Sequence, residues 1–217
     1  MSRFLIVVPP LLGHVNPTVG IGQIMRERGH QVAWTGPALT LRPLLGNDAQ
    51  IYPTGMRAIR EQAEHGLASI KSVWEGFIVP YARFTLPALD KAVLDYSPDV
   101  IIVDQHSPAG ALVAHRHGVR WVSLTSSAME ISRPFITLPK VEAWIHEKLV
   151  GLWQHAGLPE QEFIDPRFSP ELVISLSSPA LTGAATFPDH YAFTGPILAE
   201  PDQLSPSRSG CVRGARP

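Results

Sequence analysis

The chain has 217 residues, 45% hydrophobic and 17% charged, with a formal net charge of -1; that is enough apolar material for one substantial core and excludes an intrinsically disordered chain. A near-neutral balance gives no electrostatic attraction to nucleic acid or an anionic membrane, and the single cysteine, Cys211, excludes an internal disulfide framework and a cysteine-based zinc site. No apolar run approaches the ~20 residues that cross a bilayer, and Pro9-Pro10 interrupts the N-terminal apolar run with no signal-peptide cleavage motif after it, so the expectation is a cytoplasmic protein.

Residues 4–8 are an unbroken run of apolar strand formers, the pattern of a parallel strand covered on both faces. Pro9, Pro10 and Gly13 end it, and Asn16-Pro17 offers an N-cap followed by proline at the first helical position. The spacing then predicts a helix whose inward face carries Ile21, Ile24, Met25 and the stem of Arg28, closed by Gly29. Residues 31–35 read as the next strand, which completes a β-α-β unit with its right-handed crossover. A short helix over 39–45 and a strand over 49–53 follow. Residues 57–64 are charged and compatible with a helix, and Trp74, Phe77, Ile78 and Tyr81 stand at helical spacing, either as core or as an apolar wall for a bulky ligand.

A helix is expected over 87–96. Residues 100–103 are four consecutive β-branched apolar residues, which make a central buried strand ending on Asp104. A helix beginning at Ser107-Pro108 and a strand over 120–125, itself ending in Thr125, Ser126 and Ser127, come next. Residues 140–156 form the clearest amphipathic helix, with Trp144 and Trp153 as core anchors. Strands over 172–176 and 191–194 complete an α/β domain with a mostly parallel sheet of about seven strands and helices on both faces, spanning residues 1–200. From Pro201 the composition turns to Pro, Ser, Gly and Arg, so residues 201–217 are expected to be a disordered tail or the start of an interdomain linker.

Strand and helix alternation puts the C-terminal ends of all parallel strands on one edge, where open α/β folds bind ligands. His14 follows the first strand and Asp104 ends a later one. A carboxylate that accepts the Nδ1 proton of the imidazole fixes its tautomer and leaves Nε2 to take a proton from a substrate hydroxyl. His106, two residues past Asp104, is the one rival; His30, His65, His115, His117, His146, His155 and His190 fall on helices or their ends. Gly13 precedes a helix N-terminus suited to anions, yet neither Gly-x-Gly-x-x-Gly nor Gly-Lys-Ser/Thr is present, so a dinucleotide site or P-loop is not supported.

Val8-Pro9-Pro10 leading into Gly13-His14-Val15-Asn16-Pro17, then Gly29-His30-Gln31-Val32, resembles the start of bacterial family 1 glycosyltransferases of the macrolide type, relatives of the UDP-glycosyltransferases. Residues 99–111, 118–124 and Phe193-Thr194-Gly195-Pro196 look like later segments of the same N-terminal domain. The resemblance implies the N-terminal half of a GT-B fold and an inverting transfer without a metal. In it His14 is the base, Asp104 orients His14, and Gly13 lies near the donor. It also implies a lipophilic natural product as acceptor, and as co-substrate a nucleotide sugar, UDP- or dTDP-linked, held by a C-terminal domain. Trp74, Phe77, Phe84, Met129 and Phe135, which follow the third and fifth strands, are the expected acceptor wall. The family's donor domain is missing after Pro201, and residues 205–217, with Arg208, Arg213 and Arg216, do not resemble its next segment. A truncation or a change of reading frame is therefore expected, with activity depending on a donor half. The alternative is a non-catalytic module that binds a small molecule, or a subunit completed by a separate donor-binding half.

Overall fold

A computed structural model describes residues 1–55, 65–128, 131–183 and 186–197. Seven strands form one sheet: β1 (Arg3–Val7), β2 (Gln31–Gly36), β3 (Gln50–Pro53), β4 (Val100–Asp104), β5 (Arg120–Thr125), β6 (Val173–Ser175) and β7 (Tyr191–Phe193). Their order is β3-β2-β1-β4-β5-β6-β7, and every neighbouring pair is parallel. The chain thus starts in the middle of the sheet, winds outward to β3, and returns through β4 to wind the other way. The reversal between β1 and β4 is the switch point at which such sheets bind ligands.

Alternation along β1 explains why it is apolar from Phe4 onward. Leu5 and Val7 join Ile101, Val103 and Trp121 on one face, under α4 (Val79–Tyr96) and α5 (Ala109–Arg116). Ile6 and Val8 join Val32, Trp34, Ile102 and Leu124 on the other, under α1 (Leu12–Glu27) and α2 (Ala38–Leu45). A smaller cluster of Trp74, Phe77, Ile78, Tyr81, Ile145 and Leu149 lies where α4 and the π-helical turns before it (Ser72–Ile78, themselves preceded by α3, Leu67–Lys71) meet α6 (Pro139–His155). A last short helix is α7 (Pro179–Thr182).

Two helix starts differ from the sequence expectation, both at a proline. Helix α1 begins at Leu12, with Leu11 as N-cap, and Pro17 lies inside it. The first helical hydrogen bonds, from His14 and Val15 N–H to the Leu11 carbonyl, form upstream of the proline, so Asn16 is not the cap. The buried face is accordingly Val15, Thr18, Val19 and Gly22, while Ile24 is 44% exposed. Helix α4 likewise runs through Pro87, because Tyr81, Ala82 and Leu86 upstream of it are all buried and their packing outweighs the cost of one missing hydrogen bond. The expected helix over 57–64, Met129 and the tail over 201–217 lie outside the described residues.

Candidate active site

The register brings the candidate residues together before any side chain is considered. Val7 pairs with Val103, and Asp104 pairs with Leu124, so the ends of β1, β4 and β5 stand side by side. The segment after β1 coils at once into α1 and puts His14 in its first turn. Asp104 is the last residue of β4, and Ser126 comes one residue after β5. Gly110 holds α5 tightly behind this point: a Cβ there would sit 3.0 Å from both Val103 methyls and 3.1 Å from Val7 Cβ.

Three contacts converge on Nδ1 of His14. Asp104 Oδ2 lies at 2.8 Å, Asp104 Oδ1 at 3.0 Å and Ser126 Oγ at 2.8 Å. Asp104 is 1% exposed, and its Oδ1 also accepts the His106 backbone N–H at 2.9 Å. It therefore serves the histidine and its own loop, and it is not the cap of α5, whose N-cap is Pro108. An ionised carboxylate only accepts hydrogen bonds, so the ring proton belongs on Nδ1. Ser126 Oγ then also accepts at Nδ1 and keeps its own proton for another acceptor. Among the described residues none is bonded to Nε2 of His14, and the side chain keeps 15% of its exposure. Serine, histidine and aspartate are the residues of a nucleophilic triad, but in a triad the serine and the acid bind opposite ring nitrogens. Here both occupy Nδ1, so the arrangement is not a nucleophilic triad, and Nε2 is left without a partner among the described residues.

His106 lies beside the dyad, its ring centroid 4.6 Å from that of His14 with the planes inclined at 36°. Burial pushes its pKa below the ordinary value, opposed by the Asp104 charge. One ligand atom each from His14, Asp104 and His106 fall within 4.8 Å of one another, the set among the described residues with the spacing to hold a metal ion. Gly13, at the second position of α1, has open space where a Cβ would project.

The expected acceptor wall divides. Trp74 and Phe77 are 3% and 8% exposed and share a cluster with Phe135 and with Leu11, three residues before His14. Phe84 is 43% exposed and stands against Gly55, outside that cluster; Met129 is not among the described residues. Phe135 also lines a cleft of about 540 Å³ together with Arg133, Arg167, Phe168, Phe187 and Tyr191. Burial raises the pKa of the Tyr191 phenol, with the nearby Asp165 adding to the effect. The sequence marks Ser126 as one of three hydroxyl residues at the end of β5 without giving it a role, and of the residues named for this cleft it singles out Phe135 alone. Ser126 was accessible by the logic that found Asp104, since it too follows the C-terminal end of a parallel strand. The cleft was not, because its residues come from separate loops without periodicity.

No family model matches the chain. It is 26% identical to the zeaxanthin glucosyltransferase of Pseudescherichia vulneris over 93% of its own length and 55% of that protein. It is 32% identical to the NDP-glycosyltransferase YjiC of Bacillus subtilis (strain 168) over 54% of its length and 30% of that protein. Among solved structures, the calicheamicin glycosyltransferase CalG4 superimposes with a TM-score of 0.69 at 23% identity, over 93% of this chain and 54% of that one. The glycosyltransferase of kitacinnamycin also gives 0.69, at 19% identity, over 92% and 52%. The chain spans about half the length of the curated relatives it matches.

Proposed function

We propose, for a chain that is homologous to bacterial glycosyltransferases and folds as the N-terminal half of the GT-B class, that it is the acceptor-activating half of an inverting glycosyltransferase. The observation that carries this reading is the crowding of Asp104 and Ser126 onto Nδ1 of His14, which reserves Nε2 for the acceptor. In the reaction Nε2 takes the proton of an acceptor hydroxyl as its oxygen attacks the anomeric carbon of a nucleotide sugar. The new C–O bond forms on the face opposite the bond to the nucleoside diphosphate, which leaves with the electron pair, and the anomeric configuration inverts. Asp104 stays ionised throughout and stabilises the imidazolium as it forms.

The acceptor is a lipophilic natural product, held by the aromatic cleft of Phe135, Phe168 and Tyr191, whose volume of about 540 Å³ is within the usual range for such ligands; Trp74 and Phe77, expected in the acceptor wall, are buried in the cluster behind Phe135 and serve as core. The donor is a UDP- or dTDP-linked sugar bound chiefly by a second domain facing the edge that bears His14 and Gly13. Two structural neighbours, SsfS6 and SpnG, are known in complex with thymidine diphosphate, which supports this donor class.

The test joins this chain to the donor-binding half of a full-length relative such as the zeaxanthin glucosyltransferase and assays sugar transfer to hydroxylated lipophilic acceptors. Replacing His14 by alanine in the chimera lowers turnover by roughly 10²- to 10⁴-fold, the contribution of a positioned general base. Undiminished turnover in His14→Ala overturns the assignment. Acceptor binding by the chimera without transfer to any acceptor favours a binding module.

A further inference from the structure

His106 has no task in the proposed transfer, yet it is built into the dyad. Its backbone N–H is bonded to Asp104 Oδ1, its ring lies against that of His14, and its Nδ1 is buried without a hydrogen-bond partner among the described residues. With His14 and Asp104 it offers three ligand atoms within 4.8 Å of one another. Two atoms bound tetrahedrally to one zinc ion at ordinary lengths stand about 3.3 to 3.5 Å apart, and His14 Nδ1 lies 2.8 Å from one Asp104 oxygen and 3.0 Å from the other. That pair needs to open by only about 0.5 Å, with the ion in place of the shared proton, and the adjacent His106 ring supplies the third ligand by side-chain rotation. Two imidazoles and one carboxylate select a late first-row dication; Mg²⁺ and Ca²⁺ call for oxygen ligands.

We propose that His14, Asp104 and His106 form a reversible binding site for a divalent transition-metal ion such as Zn²⁺. The ion coordinates the lone pair of His14 Nδ1. A neutral imidazole metallated at Nδ1 carries its proton on Nε2, so metal binding moves the ring proton from one nitrogen to the other and leaves the total unchanged. Nε2 then donates a hydrogen bond and no longer accepts a proton. The consequence rests on the reading of His14 as the base: Zn²⁺ inhibits transfer by changing the tautomer, without blocking the acceptor seat. The binding itself does not depend on that reading.

Calorimetric titration of the 217-residue chain with ZnCl₂ tests the site. One saturable equivalent is expected, weakened in His106→Asn by more than the roughly 10- to 100-fold that loss of a supporting contact costs, and unchanged in His155→Asn, at an exposed position on α6. Circular dichroism verifies that the half-buried His106 variant is folded. Long-range proton-nitrogen NMR of the His14 ring gives a second readout, in which Zn²⁺ shifts the ring proton from Nδ1 to Nε2. Absence of a saturable equivalent, binding that survives His106→Asn unchanged, or a His14 ring indifferent to Zn²⁺ overturns the proposal and leaves the base assignment standing.

Discussion

At the scale of single residues, the site depends on how one imidazole nitrogen is occupied. Replacing Asp104 by asparagine keeps the shape but removes the obligate acceptor, since the amide can present its NH₂ to Nδ1 and stabilise the wrong tautomer. Transfer in the completed enzyme is expected to fall by about a hundredfold or more, within the range that base catalysis supplies, and steady-state kinetics of Asp104→Asn checks it. Ser126 contributes a neutral hydrogen bond worth about 0.5–1.5 kcal/mol, so Ser126→Ala is expected to lower kcat by roughly two- to tenfold with KM unchanged. An effect confined to KM would assign Ser126 to ligand binding instead. His14 and Asp104 were legible in the sequence because each follows a strand too apolar to be anything but central. Ser126 was harder to single out. Three hydroxyl residues stand in a row at the end of β5, and only the register of β5 on β4 decides which of them reaches His14.

At the scale of elements, α1 carries His14, and its seat on the sheet depends on Gly22. A Cβ at that position would lie 2.3 Å from Trp34 Cζ2. Trp34 cannot yield easily: it is fully buried, and its Nε1 donates to Thr18 Oγ1 at 3.1 Å. Gly22→Ala is therefore expected to destabilise the domain by about 1–3 kcal/mol, the usual cost of overpacking, measured by denaturant unfolding. In the cluster between α4 and α6, burial pushes the Tyr81 phenol from 10.0 up to about 12. Its folded pKa exceeds the unfolded one, so its contribution to stability is complete below pH 10 and is lost as pH rises toward 12. Unfolding midpoints compared at about pH 9 and about pH 11 should fall more in the wild type than in Tyr81→Phe. The longer helices could be read from the sequence, but the starts of α1 and α4 could not. Pro17 and Pro87 carry the local signal of a first helical position, whereas burial of Val15 and Tyr81 upstream extends each helix past its proline.

At the scale of the whole molecule, the sheet concentrates polar chemistry on one edge. Buried polar atoms without a partner among the described residues occur on Arg3, Tyr81 and Tyr96, on Asn16 in α1, and on Thr35, His106, Ser107 and Thr125, the last four of which stand at or just beyond the C-terminal ends of the parallel strands. Buried polar groups are normally satisfied, so this edge is suited to a ligand rich in hydroxyl or phosphate groups. The alternation of strands and helices announced a parallel sheet, although the strand order emerges only from pairing. The central claim is that this architecture presents His14 with its proton on Nδ1 and its Nε2 lone pair toward the acceptor. Long-range proton-nitrogen NMR of the ¹⁵N-labelled chain, at a pH where the ring is neutral, tests it without any donor or acceptor. The account predicts the Nδ1–H tautomer for His14, lost in Asp104→Asn. An Nε2–H tautomer in the wild-type chain would contradict it.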